Sequence, residues 1–135
     1  NKAILFMMDV DRFKSINDTY GHDIGDSVIC QLGTILASKF TDGEILGRFG
    51  GDEFIVFIKD MDDVNTAKKI AEGIINAVSE NVTLPDSNEK VSVSIGAAVY
   101  KGQEKNYSEI FKKADVALYK SKADADNRFY VYGGF

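Results

Sequence analysis

Tryptophan is absent from this chain of 135 residues, and cysteine, histidine and proline occur once each. A lone cysteine, Cys30, excludes an internal disulfide framework and suits a reducing compartment. With no His partner beside it in sequence it makes a poor nucleophile, and it is read as a core residue. Long apolar runs are missing too. The run near the start, Ala3 to Met8, falls far short of the roughly 18 residues that suggest a membrane span, so no membrane contact by this domain is expected. The start of the chain carries neither a basic region nor a small-residue cleavage site, so no secretory signal is expected. Basic residues are outnumbered, 16 Lys and Arg against 21 Asp and Glu, for a net charge of −5. That balance argues against nucleic acid as a partner, because non-specific phosphate binding draws on a basic stripe. It leaves nucleotides open, since metal ions can neutralise clustered carboxylates around a triphosphate.

What is present fits one domain spanning residues 1–135, with 44% hydrophobic and 27% charged residues and no internal repeat. Ala3 to Asp9 reads as a buried strand with a polar end. A turn-rich stretch from Asp11 to Asp26 follows, with a short helix over Arg12 to Asn17 and with Gly21 and Gly25 as punctuation. From Asp26 onward, Val28, Ile29, Leu32, Ile35, Leu36 and Phe40 share one helical face. Ile45 to Phe49 and Phe54 to Lys59 read as a hairpin around Gly50-Gly51-Asp52-Glu53. A helix runs from Val64 past Val78, and the only proline, Pro85, sits in a polar loop. Val91 to Tyr100 reads as a long strand, Tyr107 to about Lys122 as a helix, and Phe129 to Tyr132 as a closing strand. This order predicts an α/β (α+β) fold, a mixed central β-sheet flanked by helices.

Two constellations carry possible chemistry. Asp9 and Asp11 leave the first strand together, and Mg²⁺ takes one or two carboxylates plus substrate phosphates. On spacing alone the pair is a weak signal, and an acid capping the next helical turn explains it as simply. The second is the hairpin tip, where Gly50 and Gly51 permit a tight turn and Asp52 and Glu53 could complete a metal site facing Asp9. An ordinary solvated turn explains the tip equally well.

Gly50-Gly51-Asp52-Glu53-Phe54, preceded by Arg48-Phe49, matches the signature of the GGDEF diguanylate cyclase family letter for letter. Asp9-Val10-Asp11-Arg12-Phe13-Lys14-Ser15-Ile16-Asn17-Asp18 and Tyr20-Gly21-His22-Asp23-Ile24-Gly25-Asp26 are similar to the family's metal and guanine segments. Val93-Ser94-Ile95-Gly96-Ala97 and Ala114-Asp115-Val116-Ala117-Leu118-Tyr119 resemble further blocks, in order and over nearly the whole chain. The resemblance implies a fold akin to nucleotidyl cyclases and the polymerase palm. It implies condensation of two GTP into cyclic di-GMP with release of two pyrophosphates, by metal-assisted attack of a 3′-hydroxyl on an α-phosphate.

By the same resemblance, two Mg²⁺ or Mn²⁺ ions per active site would be held by Asp9, the Val10 carbonyl, Asp52 and Glu53, with Asp52 accepting the proton of the attacking hydroxyl. Asn17 and Asp26 would read guanine, Lys122 would contact phosphate, and Phe13, Gly50 and Gly51 would lie against the nucleotide. His22 either lines the base pocket or satisfies a loop carbonyl. Catalysis would need a homodimer, since each domain holds one GTP. The setting implied is bacterial cytoplasm, in a free protein or in the cytoplasmic part of a membrane-anchored sensor, with a sensory domain upstream. A degenerate domain that binds GTP or cyclic dinucleotide without turnover is the alternative.

The chain departs from the family pattern in three places. It begins almost on the first strand, without the helix that usually precedes it, so it is read as trimmed at its N-terminus from a larger sensor. Thr41-Asp42-Gly43-Glu44 stands where the product-inhibition Arg-x-x-Asp would lie, and lacks the arginine. Asp126 stands where a phosphate-binding base is expected, with Arg128 near enough to substitute.

Overall fold

The computed structural model describes residues 2–40, 44–61, 63–102, 106–124 and 128–133. Along the chain it places β1 (Ala3–Val10), α1 (Phe13–Tyr20), α2 (His22–Lys39), β2 (Ile45–Phe49), β3 (Glu53–Lys59), α3 (Val64–Asn81), β4 (Val93–Tyr100), α4 (Tyr107–Ala123) and β5 (Phe129–Val131). The strands form one sheet in the order β2-β3-β1-β4-β5. β1 is antiparallel to both of its neighbours, and only β5 runs parallel, alongside β4. The expected mixed sheet flanked by helices is what the chain builds.

β1 reads as a continuous apolar run because it is the middle strand and is covered on both faces, so all eight of its residues are buried. Its alternation sorts the two layers. Ile4, Phe6, Met8 and Val10 join Val28, Leu32 and Leu36 of α2 and Ala71, Ile74 and Val78 of α3 in the larger core. Leu5 and Met7 face Ile110, Ala114 and Leu118 of α4 in the smaller one. Asp9 keeps the same phase as Leu5 and Met7, which aims its carboxylate toward α4. Burying each of these large side chains contributes about 1.5–3 kcal/mol.

α3 starts where Asp63 caps it, accepting from the Asn65 backbone N–H at 3.0 Å and from the Thr66 hydroxyl at 2.9 Å. Asn106 caps α4 by accepting from the Glu109 N–H at 3.1 Å. α4 then lies directly on the backbone of β4. A Cβ on Gly96 would stand 2.5 Å from the Ala114 carbonyl oxygen and closer still to the Leu118 nitrogen. Any side chain at 96 would therefore lift α4 from the sheet, and Lys122 with it.

Several boundaries differ from the sequence-based expectation. α2 begins at His22 rather than Asp26, so Gly25 lies inside a helix and is buried there. A glycine is usually a punctuation mark, but here it is a contact point between helices. β4 starts at Val93, although Val91 is also buried. Glu53 belongs to β3, pairing with both Phe49 and Asp9, which leaves Gly50, Gly51 and Asp52 as the turn. Cys30 is exposed, contrary to its assignment to the core. The buried stripe of α2 passes through Gly25, Val28, Ile29, Leu32 and Leu36, and position 30 points away from it. Among the described residues, no helix is long and apolar enough to cross a membrane. Thr41 to Gly43 and Asp126 lie outside the described residues.

Candidate active site at the end of the central strand

The pairing register brings the sequence-predicted acids together. Asp9 lies opposite Glu53 of β3 on one side and Ser94 of β4 on the other. The β2–β3 turn sets Asp52 within hydrogen-bonding reach of the Asp9 carboxyl. From α4, the Lys122 ammonium approaches Asp9 Oδ2 at 2.8 Å. Asp9 Oδ1 is buried and, among the described residues, has no hydrogen-bond partner. Asp9 is thus a buried carboxylate with one oxygen neutralised and the other undonated beside a second acid.

The electrostatics follow from that crowding. The Asp9 carboxyl is pushed up to about 7 by burial first and by the neighbouring Asp52 second, with Lys122 pulling the other way. Glu53 is also raised, by burial first, then by the carboxylates of Asp52 and of Asp115 on α4. Such a site favours a proton or a cation.

Among the described residues, no group of three or more Asp, Glu, His or Cys side chains is arranged to hold a metal ion by itself. Mg²⁺ does not require such a cage, because it commonly takes one or two carboxylates and completes its shell with water and substrate phosphates. The undonated Oδ1 of Asp9, on a carboxyl that Asp52 also approaches, fits a cation of that kind.

The turn that carries Asp52 is braced by Arg48, whose guanidinium donates to the Gly51 carbonyl at 2.7 Å. Gly50 has φ 78°, a conformation that disfavours any residue with a Cβ. Gly51 is different. Its φ is not in the positive range, and an added Cβ would meet nothing within 4 Å. Among the described residues, nothing demands glycine at 51.

The residues assigned to the base form a second group, where α1 and α2 pack together. Asn17 on α1 stands against Gly25 so closely that a Cβ there would fall on its Oδ1, while Phe13 would lie 3.4 Å from the same position. Asn17 Oδ1 is likewise buried without a hydrogen-bond partner among the described residues. Asp26 follows Gly25 on α2 and is exposed, as is His22 at the start of that helix. Val10 closes β1 opposite Val93.

Asp11 is engaged differently from its neighbour Asp9. Its Oδ1 accepts from Ser94 Oγ at 2.6 Å and its Oδ2 from Ser92 Oγ at 2.7 Å. The Arg128 guanidinium completes the set, 3.1 Å from Oδ2. Arg128 is therefore tied to Asp11 rather than held out as a spare phosphate ligand. Ser92 escaped the sequence reading, and Ser94 and Asp115 entered it only within motif blocks, without a role. Two hydroxyls at alternate positions between the buried Val91, Val93 and Ile95 are a readable signal, because hydroxyls pointing into a covered face need an acceptor there.

Comparison with known proteins identifies the family. The family model described as "Diguanylate cyclase, GGDEF domain" matches residues 1–128. Diguanylate cyclase DgcM of Escherichia coli is 40% identical over 126 residues, covering 92% of this chain and 29% of the relative. Probable diguanylate cyclase DgcC of the same species is 37% identical over 133 residues, covering 96% of this chain and 34% of the relative. The chain thus spans about a third of the length of these curated relatives. Among solved structures, the active GGEEF domain of a diguanylate cyclase from Vibrio cholerae superposes with a TM-score of 0.89 at 32% identity, covering 100% of this chain and 85% of that one. The GGDEF domain of DgcB from Caulobacter crescentus, in complex with c-di-GMP, gives a TM-score of 0.85 at 30% identity, covering 97% and 78%. With its signature turn beside Asp9 and a family match along almost its full length, this chain belongs to the GGDEF domain family of diguanylate cyclases.

Proposed function

We propose that this domain condenses two GTP molecules into cyclic di-GMP, releasing two pyrophosphates. The observation that carries the reading is the Asp9–Asp52 carboxylate pair, with an undonated buried oxygen and the Lys122 ammonium alongside. Asp9, the Val10 carbonyl, Asp52 and Glu53 would hold divalent ions, Mg²⁺ or Mn²⁺, two per active site. When bound, such ions offset the charge on the phosphates and on the attacking and leaving oxygens.

The remaining work falls to the chain's own groups. Asp52, at the mouth of the turn, accepts the proton of the attacking 3′-hydroxyl. Lys122 exchanges its contact with Asp9 for one with the triphosphate. Asn17 brings an unpaired acceptor to the base edge, and the Asp26 carboxylate accepts from guanine N1–H and its exocyclic amine together, a pairing adenine does not offer. Phe13 and the glycine turn at 50 and 51 lie against the nucleotide, and His22 lines the base pocket. One domain holds one GTP, so a homodimer with the two sites facing each other is required. A supply of GTP points to the bacterial cytoplasm, and the lengths of the relatives point to a partner region such as an upstream sensor.

One observation favours a second reading. With Arg128 tied to Asp11 and an acid at 126, Lys122 is left as the cation in contact with Asp9, which suits a regulatory module that binds GTP or cyclic dinucleotide without turnover. Incubating the purified domain with GTP and Mn²⁺ separates the two. Cyclic di-GMP and pyrophosphate support the cyclase, binding without product supports the module, and a domain that binds no GTP overturns the cyclase.

A further inference from the structure

We propose that Asp11 and Arg128 form a positioning clamp that aligns the acid-bearing end of β1 with the lysine-bearing end of α4. The proposal rests on the cyclase reading above and adds residues to which that reading gives no role.

Three strands meet at this pair. The Asp11 backbone N–H donates to the Ser92 carbonyl at 2.9 Å, and its carboxylate takes both β4 hydroxyls and the Arg128 guanidinium. The Arg128 carbonyl in turn accepts from the Ile95 N–H at 2.8 Å, at the start of the β4–β5 pairing. Asp11 stands two positions after Asp9, while Arg128 lies just before β5, on the chain that leaves α4 beyond Lys122. One side of the clamp therefore sets where Asp9 and the Val10 carbonyl point. The other sets where the chain returns after Lys122.

A carboxylate that accepts three donors and is largely covered keeps at most one lone pair for an ion, and its charge is already matched by a guanidinium. Its side chain is 9% exposed and its partner's 29%. This separates Asp11 from Asp9, whose second oxygen is bare, even though the Asp-x-Asp spacing presents the two acids as equivalents. The division of labour is one acid for the ligand and one for the alignment. Reactions that depend on alignment are sensitive to it, since a misplacement of about 1 Å can cost on the order of 100-fold in rate.

The test is a double-mutant cycle on the domain: Asp11→Asn, Arg128→Gln and the two combined, with kcat, KM for GTP and Tm measured for each. Loss of either partner should lower kcat by about 10-fold or more with KM changed by less than about 3-fold. The double variant should be no slower than the slower single, because each change breaks the same contact. Arg128→Lys, which keeps the charge, should recover most of the rate. That pattern with folded variants is not produced by general destabilisation. Should Asp11→Asn fail to fold, the Arg128→Gln and Arg128→Lys pair still decides the matter at a partly exposed position.

Unchanged rates for Arg128→Gln overturn the clamp. So does a 10-fold rise in KM that adds to the effect of Asp11→Asn, since the guanidinium would then be binding the triphosphate directly. If the wild-type domain binds GTP but forms no product, the cyclase reading fails alone, and the clamp is judged by whether the same non-additivity is seen in the Mn²⁺-dependent GTP dissociation constant. A wild-type domain that binds no GTP overturns both.

Discussion

Lys122 places its ammonium 2.8 Å from Asp9 Oδ2, on the carboxylate that the family resemblance assigns to a metal ion. If a metal ion takes that carboxylate, as proposed, lysine and metal compete for the same oxygens until a triphosphate draws the lysine away. Replacing Lys122 by Gln should tighten Mn²⁺ binding to the nucleotide-free domain by roughly 3–10-fold, the range expected for removing a partly exposed cation from an acidic site. The same change should lower kcat/KM for GTP by about 10-fold or more. Calorimetric Mn²⁺ titrations with and without GTP measure both. Equal Mn²⁺ affinity in the two proteins would show that the contact has no influence on metal loading.

Asp52→Ala should abolish turnover, because it removes both a proposed ligand and the proposed proton acceptor, and Glu53→Gln should impair it strongly. Losing charge at such a site removes several kcal/mol of transition-state stabilisation, on the order of 10³-fold in rate. The assay is formation of cyclic di-GMP. Near-normal synthesis by the Asp52 variant removes this residue from the mechanism.

Asp9 also carries a stability cost with a defined pH dependence. Its carboxyl titrates at about 7 instead of 3.8, chiefly because it is buried. An acid raised in the fold costs nothing below its unfolded pKa, and the cost grows as pH rises and is full above the folded value. Asp9→Asn should therefore raise the Tm of the metal-free domain at pH 7.5, by about 3–8 °C for roughly 1–2 kcal/mol once loss of the Lys122 contact is allowed for. The advantage should shrink steadily toward pH 4. A Tm difference that is flat across this range would mean that the Asp9 charge is not the cause.

The two turn glycines should respond differently to alanine. Gly50→Ala forces a Cβ into a left-handed conformation at φ 78° and should cost about 1–2 kcal/mol of stability. Gly51→Ala meets no neighbour in the fold and should leave Tm nearly unchanged. If a nucleotide lies on this turn, Gly51→Ala should nonetheless raise KM for GTP several-fold. Stability by thermal melting and KM by steady-state assay distinguish the two effects, and an unchanged KM places the nucleotide elsewhere.

If Asn17 and Asp26 read the base as proposed, base choice depends on the contact between the helices. GTP should be preferred to ATP by roughly 100-fold or more, since adenine would leave the polar groups of Asn17 and Asp26 unpaired. Gly25→Ala would drive a methyl into Asn17 Oδ1, so it should weaken GTP binding while changing ATP binding little. Calorimetry with both nucleotides provides the comparison. Parallel losses for GTP and ATP would mean that Asn17 does not read the base.

The sheet and its helices were largely legible in sequence because they depend on periodic burial, as β1 and the stripe of α2 illustrate. The acids of the site were legible only through motif resemblance, since Asp-x-Asp spacing alone did not separate Asp9 from Asp11. That separation depends on Ser92, Ser94 and Arg128, which lie more than eighty positions away along the chain and reach Asp11 only when β4 pairs with β1. Gly25 was misread for a related reason. Its meaning lies in the approach of Asn17 from another helix, and local pattern carries no record of such an approach. Cys30 shows the converse, since residue type favoured burial while helical phase turned the side chain outward.

The placement of β1 between β3 and β4 also governs when this site can exist during synthesis. Asp9 meets Glu53 early in the growing chain, but Ser94 and Lys122 emerge much later, and Ala3 must pair with Tyr100 before the strand is enclosed. Pairings so distant in sequence are slow to form. A nascent chain halted before α4 would expose one side of its most apolar strand, a surface prone to association and suited to chaperone capture. Any ligand site that needs both Asp9 and Lys122 would then be completed only as α4 docks, late in the folding of this domain.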